Sequence, residues 1–176
     1  MDPFDTLGLA PDFELDVGTL EARYRDLQKA LHPDKHVNAP PAERRAALAR
    51  AVNVNEAYRA LKDELKRAEA LLARHGGKVS EEDAGASDPE FLMEVMELRE
   101  ALAEARAEQD LDAVGKLGAR VAEHAKQTRQ TLLAAFRALA EGQGADLEQA
   151  AAQVGRMRYY RRFQDEVDRI EEDALS

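Results

Sequence analysis

The 176-residue chain contains no cysteine, and aromatic residues make up only 5% of it. Without cysteine it can form no disulfide, no thiolate metal site and no cysteine nucleophile. The shortage of aromatics weighs against a β-sandwich or barrel, which draws on aromatic and β-branched residues. No stretch approaches the roughly 18 consecutive apolar residues of a membrane span. The opening Met1-Asp2-Pro3-Phe4-Asp5 is acidic, unlike a secretory signal or an Arg-rich transit peptide. A soluble, cytoplasmic protein is therefore expected. There is no glycine-rich phosphate loop. His36, His75 and His124 are scattered, so no metal site and no cofactor are expected. Glu81-Glu82-Asp83 reads as a solvated linker, not a calcium loop.

What the chain does contain is charge, 34% of all residues, and a net charge of −10. The charge is unevenly placed. Residues 1–78 hold 13 basic and 13 acidic side chains, leaving 12 basic and 22 acidic for residues 79–176. The first half is neutral and the second carries the whole net charge. An acidic half argues against nucleic acid and anionic membrane as partners.

The hydrophobic pattern is helical throughout. Val17, Leu20, Tyr24, Leu27 and Leu31 recur at alternating steps of 3 and 4, which draws one apolar stripe. Asp16 is placed to cap this helix and Pro33 to end it. A polar loop follows to Pro41. A second helical pattern runs from about Ala42 to Leu61, with Val52, Ala57, Tyr58 and Leu61 apolar, and a shorter one spans Glu64 to Arg74. Phe4, Leu7 and Leu9 are expected to pack across the pair. The segment from Gly76 to Asp88 has no hydrophobic period and is rich in Gly, Ser and acid. It predicts a linker over 76–88 between an N-terminal domain, 1–75, and a C-terminal one, 89–176. Gly76 reads as a helix stop, and Ser87 or Asp88 before Pro89 as the next helix start. Three longer stripes follow: Phe91 to Leu102, Val114 to Leu139, and Tyr160 to Ile170. Polar breaks at 108–110 and 141–144 separate them. Short connections imply antiparallel neighbours, hence a three-helix bundle. The expected fold class is all-α.

The most informative residues are His32-Pro33-Asp34-Lys35, set between two amphipathic helices. Pro33 fixes its own φ and biases His32 to an extended conformation. The imidazole and carboxylate then project from a stiff turn, and Asp34 can accept a charge-assisted hydrogen bond from a partner arginine. Arg25 and Lys29 lie opposite the apolar stripe, one turn apart, with Arg23 and Lys35 nearby. Glu21 and Asp26 interrupt this basic face, which leaves open a merely solvated, mixed surface. The loop resembles the J-domain, a helical hairpin whose connecting loop carries His-Pro-Asp. The resemblance covers residues 3–74 and includes Asp5-Thr6-Leu7-Gly8-Leu9 and Asn55-Glu56-Ala57-Tyr58-Arg59-Ala60-Leu61. It implies that His32, Pro33, Asp34, Lys35, Arg25 and Lys29 engage an ATPase chaperone of the DnaK or HscA type and stimulate its hydrolysis.

The second half has neither the Gly/Phe-rich linker nor the cysteine region of general DnaJ-type chaperones. Glu90-Phe91-Leu92-Met93-Glu94-Val95-Met96-Glu97-Leu98-Arg99-Glu100 instead resembles the first C-terminal helix of HscB-type co-chaperones of iron–sulfur cluster assembly. Met157-Arg158-Tyr159-Tyr160 and the acidic run from Glu166 to Glu172 extend the likeness. At about 100° per residue, Leu92, Met93 and Met96 point roughly 90–190° away from the Phe91–Leu102 stripe. This second apolar patch, rimmed by Glu97 and Glu100, reads as a binding surface. The competing reading has Leu92 and Met96 filling a wide bundle core. Tyr159 lies about 50° off its own helix's core direction. The resemblance implies that Leu92, Met93, Met96, Glu97, Glu100 and Tyr159 hold an IscU-type cluster scaffold.

Two rivals remain. One is a J-domain co-chaperone with a different dedicated client. The other is an enzyme using His32 and Asp34 as an acid–base pair, which no pocket-forming motif supports. The expectation is a protein with no catalytic activity and no catalytic residue.

Overall fold

The computed structural model describes residues 1–78, 88–142 and 147–175. Every regular element among them is helical. Contacts divide the chain into two units, Met1–Gly76 and Gly77–Ser176. Residues 79–87 of the expected linker, including Ser87, lie outside the described residues, as do Gln143 and Gly144 of the second polar break.

The first unit opens with a one-turn helix, α1 (Pro3–Leu7). The Asp2 carboxylate accepts from the amides of Phe4 and Asp5 at its start, and Gly8 closes it at φ 64°. That left-handed conformation is one glycine adopts without steric cost. Helix α2 (Val17–Ala30) begins where the Asp16 carboxylate accepts from the Thr19 amide at 2.7 Å. Helix α3 (Pro41–Lys62) and helix α4 (Glu64–Arg74) follow, the latter capped by Asp63. Tyr24 on α2 stacks on Tyr58 of α3, with ring centroids 4.0 Å apart. Four residues further along α2, Gln28 shares a cavity with Ala51 and Val54. The two helices therefore run antiparallel.

Phe4, Leu7, Phe13, Leu20, Val54, Ala57, Leu61, Leu65, Ala68, Leu71 and Leu72 make the core of this unit. Leu9 is half-buried. Two expectations need correction. Val17 and Val52 are exposed. Val17 is the first residue of its helix and overhangs the core. On α3 the inward positions are Ala47, Val54, Ala57 and Leu61, so the buried stripe runs through Val54 and rotates Val52 outward. Arg67 was not anticipated. It is buried, and its guanidinium donates to the carbonyls of Phe13 and Leu61, both at 2.8 Å. A buried cation so placed satisfies main-chain acceptors of the loop and of the α3 end.

The second unit holds α5 (Pro89–Ala107), α6 (Leu111–Ala140) and α7 (Leu147–Leu175). Asp88 caps α5 and Asp110 caps α6. Between them the chain turns at Gln109, with φ 57°. Glu94 on α5 meets His124 on α6, and Glu97 meets Arg120, 4.0 Å away. Gly118 on α6 faces Val167 on α7, and Gly115 faces Glu171. Consecutive helices are thus antiparallel, and α7 runs alongside α5. Phe91, Leu98, Leu102, Val114, Val121, Tyr160, Phe163 and Val167 form a continuous core, with Val95, Leu117, Ala125 and Ile170 packed on it. The last helix starts 13 residues before Tyr160, at Leu147, and also buries Ala150 and Val154. The fold is all-α: a J-domain-like helical hairpin joined in sequence to an antiparallel three-helix bundle.

Candidate functional site

The loop after α2 is built by its proline. His32 sits at φ −59°, ψ 133°, the extended conformation that a following proline favours. Pro33 then opens a short 3-10 turn, Pro33–His36, within the stretch expected as irregular loop. The Lys35 amide donates to the His32 carbonyl at 2.9 Å, and the Asp34 amide to the His32 Nδ1 at 3.3 Å. His36 places its Nε2 3.3 Å from the Ala30 carbonyl, fastening the turn to the end of α2. His32 Nδ1 and Asp34 Oδ2 stand 3.6 Å apart, with the two side chains 59% and 86% exposed. That is a rigid pair of polar groups presented to solvent, suited to contacting another macromolecule and not to enclosing a small substrate.

Arg25, Lys29, Pro33 and Lys35 are all exposed. Arg25, Lys29, His32 and Pro33 line one cavity of about 400 Å³ with Gln28, Leu31, Ala51, Val54 and Asn55. Sequence reasoning missed Gln28 and Asn55. Gln28 Nε2 donates to the Tyr24 hydroxyl at 2.6 Å, which donates to Asn55 Oδ1 at 2.8 Å. The tyrosines at 24 and 58, each on an apolar stripe, were the available signal. Arg23 takes no part in the loop. Its Nε donates to the Leu7 carbonyl at 2.7 Å, so it ties α2 to the end of α1. Glu21, one of the two acids interrupting the basic face, lies 3.6 Å from Lys62. The hydrogen bond to Tyr58 comes first among the causes that hold Lys62 above its ordinary lysine pKa, with Glu21 adding to it.

The second candidate surface lies on α5. Leu92 is 47% exposed, Met93 and Met96 63% each. Glu97 and Glu100 are exposed beside them. On a helical projection these five residues span about 140°, centred about 170° from the buried Phe91, Leu98, Leu102 and Ala105 and the half-buried Val95. Leu92 and Met96 do not fill the bundle. Tyr159 is placed differently. It is half-buried, set edge-on to Phe91 at 5.8 Å, and its hydroxyl donates to the Val95 carbonyl at 3.4 Å. Burial pushes its phenol above the ordinary tyrosine range, with Arg99 opposing. Tyr159 therefore props α5 at Phe91, Val95 and Arg99.

Beneath the patch is a polar connection that was not foreseen. Glu94 pairs with His124 of α6 and accepts from the Tyr160 hydroxyl of α7 at 3.1 Å. Burial and the neighbouring carboxylate both drive the Tyr160 phenol up. At the start of α5, Arg156 pairs with Asp88 and lies over the Phe91 ring at 4.8 Å. These contacts fix α5 rotationally, so that Leu92 and Met96 face outward. Among the described residues no cluster of three or more His, Cys, Asp or Glu side chains is arranged to hold a metal. No helix there is long and apolar enough to cross a membrane.

An exposed His-Pro-Asp turn on a helical hairpin is the mark of a J-domain co-chaperone, and residues 2–70 match the DnaJ domain model. Residues 87–168 match the model described as the HSCB C-terminal oligomerisation domain. A co-chaperone protein HscB homolog of Shewanella halifaxensis is 36% identical over 99% of both chains. One from Ralstonia nicotianae is 46% identical over 73% of both. The chaperone HscB from Vibrio cholerae superposes with a TM-score of 0.79 at 34% identity, over 98% of this chain and 99% of that one. Human co-chaperone HscB gives 0.81 at 28% identity, over 96% and 81%. The chain belongs to the HscB family of J-domain co-chaperones. Its partner is accordingly an Hsp70-type chaperone.

Proposed function

We propose that this chain is a two-site adaptor of iron–sulfur cluster assembly. Its bundle binds an IscU-type scaffold, and its His-Pro-Asp turn stimulates ATP hydrolysis by an HscA/DnaK-type chaperone. The division of labour is residues 1–75 for the chaperone, 76–88 as linker, and 89–176 for the scaffold. It works in the cytoplasm, where the chaperone finds its nucleotide, and performs no turnover itself. His32, Pro33, Asp34, Lys35, Arg25 and Lys29 contact the chaperone. Leu92, Met93, Met96, Glu97 and Glu100 contact the scaffold, with Tyr159 at their margin. Holding scaffold and chaperone on one chain raises the local concentration of one at the other.

The observation that carries the scaffold half is the exposure of three large apolar side chains side by side on one helix, while that helix buries a separate stripe. Each contributes at most roughly 1.5–3 kcal/mol of transfer free energy when covered. Changing Leu92, Met93 and Met96 together to Ala is expected to weaken scaffold binding by about 30-fold to 1000-fold, since interface truncations are not additive. Calorimetric titration, paired with thermal melting of the same variant, is the test. Unchanged binding, or a sharp fall in melting temperature, contradicts this reading.

A further inference from the structure

The apolar patch has an acidic border on one side only. On the helical projection, Glu100, Glu104 and Glu97 fall about 80–140° from Leu92. On the opposite side, about 20–40° from Leu92 toward the buried stripe, come Arg99 and Arg106. They are the only two basic side chains of α5. Both are exposed, and among the described residues no carboxylate comes within ion-pairing distance of Arg106. They line a groove between α5 and α7, of about 680 Å³, with Leu102, Ala103, Ala107 and Glu166. Ala103 and Ala107 give the groove a small-residue wall, and Arg99 is hydrogen-bonded to Tyr159, so Arg106 is the guanidinium that faces an incoming chain. Two guanidinium groups against one carboxylate leave the groove net positive, within a half of the chain that is otherwise strongly acidic.

We infer that this groove is the second part of the scaffold-binding surface, and that it takes an acidic side chain of the scaffold. The inference rests on the scaffold reading of Leu92, Met93 and Met96, and it extends that patch along the same helix. Seven residues separate Arg99 from Arg106, a rise of about 10 Å, and the groove begins within one turn of Met96. Planar guanidinium groups so spaced suit a carboxylate, which each can bind through paired hydrogen bonds. The surface as a whole is then apolar along its middle, negative along one border and positive along the other. A partner carrying the complementary order can dock one way round and not the reverse, because reversal sets like charges together. The apolar middle supplies affinity, and the two borders supply orientation.

Arg106→Glu in the full chain tests this against the purified IscU-type scaffold. Because Arg106 is exposed, its melting temperature should stay at the wild-type value. Scaffold binding should weaken about tenfold to a hundredfold, since an incoming carboxylate would meet a like charge. Arg106→Lys, which keeps the charge but loses the paired hydrogen bonds, should bind more tightly than Arg106→Glu and more weakly than wild type. Wild-type affinity in Arg106→Glu, with binding still lost in the Leu92/Met93/Met96 triple variant, overturns the groove and leaves the patch standing. Wild-type affinity in both variants overturns the patch reading itself, and the groove with it.

Discussion

The two units expose opposite chemistry from different kinds of structure. In the first, the presented groups are polar, on a turn of a few residues held by proline and by local backbone hydrogen bonds. In the second they are apolar, on the outer face of a long helix whose inner face is core. A charged contact on a stiff turn suits brief, salt-sensitive encounters with an ATPase that must let go. An apolar face on a rigid helix suits retention of a folded protein until it is handed on. The difference is also one of what is left over. The first unit balances its charges and spends Arg23 and Arg67 on its own carbonyls. The second carries the net negative charge and leaves two arginines beside its patch.

This contrast can be broken from either side. The largest effect on the fold should come from Arg67→Ala. It removes both donors from buried carbonyls and opens space beside Phe13, at a cost of roughly 2–4 kcal/mol to the first unit. Thermal melting should show that loss, while scaffold affinity is kept because the bundle has its own core. A parallel loss of scaffold binding would mean that the units are not independent. Next comes the Leu92/Met93/Met96 triple variant, whose binding loss should leave scaffold-independent stimulation of the chaperone in place. The arginine groove follows, with its smaller, charge-dependent effect.

The smallest effect concerns acid. Hydrogen bonding to the Phe91 amide leads the causes that hold the Asp88 carboxyl below its ordinary 3.8, with Arg156 adding to it. Asp2 is also lowered. Burial pushes it up, but Arg74 and two backbone amides outweigh that. A depressed folded pKa stabilises above the unfolded value and is lost as pH falls through the folded one. Both units should therefore be at full strength near neutrality and weaken below about pH 4. Asp88→Asn should flatten the acid dependence of bundle unfolding without touching the first unit. An unchanged pH profile would remove Asp88 from the account.

Much of this was legible in the residues. Periodicity placed the bundle helices because their stripes alternate steps of 3 and 4 over many turns, and Asp16 marked a helix start through a short carboxylate before an apolar run, whereas the sequence left Ser87 and Asp88 as alternatives and the structure uses Asp88. The phase of α3 was not legible. An alanine-rich helix with Val52 and Val54 two residues apart offers two stripes, and only packing against α1 and α2 selects the one through Val54. Arg67 escaped because an arginine on a helix reads as solvated until a loop carbonyl 54 residues away arrives to accept from it. The outward turn of Leu92, Met93 and Met96 follows from angles along one helix. The placing of Tyr159 does not, since it depends on how α7 meets α5. The groove at Arg99 and Arg106 likewise exists only once those two helices are side by side.

The exposed carboxylate of Asp34 is expected to act on the chaperone and to leave the fold and the scaffold site unchanged. Steady-state ATP turnover by the Hsp70-type chaperone, measured with scaffold present, tests it on Asp34→Asn. Asp34 is 86% exposed, so stability should move by no more than about 0.5 kcal/mol. Scaffold affinity should match wild type, and stimulation should be abolished, because the neutral amide lacks the charge that a partner arginine requires. Full stimulation by Asp34→Asn would contradict the account at its base.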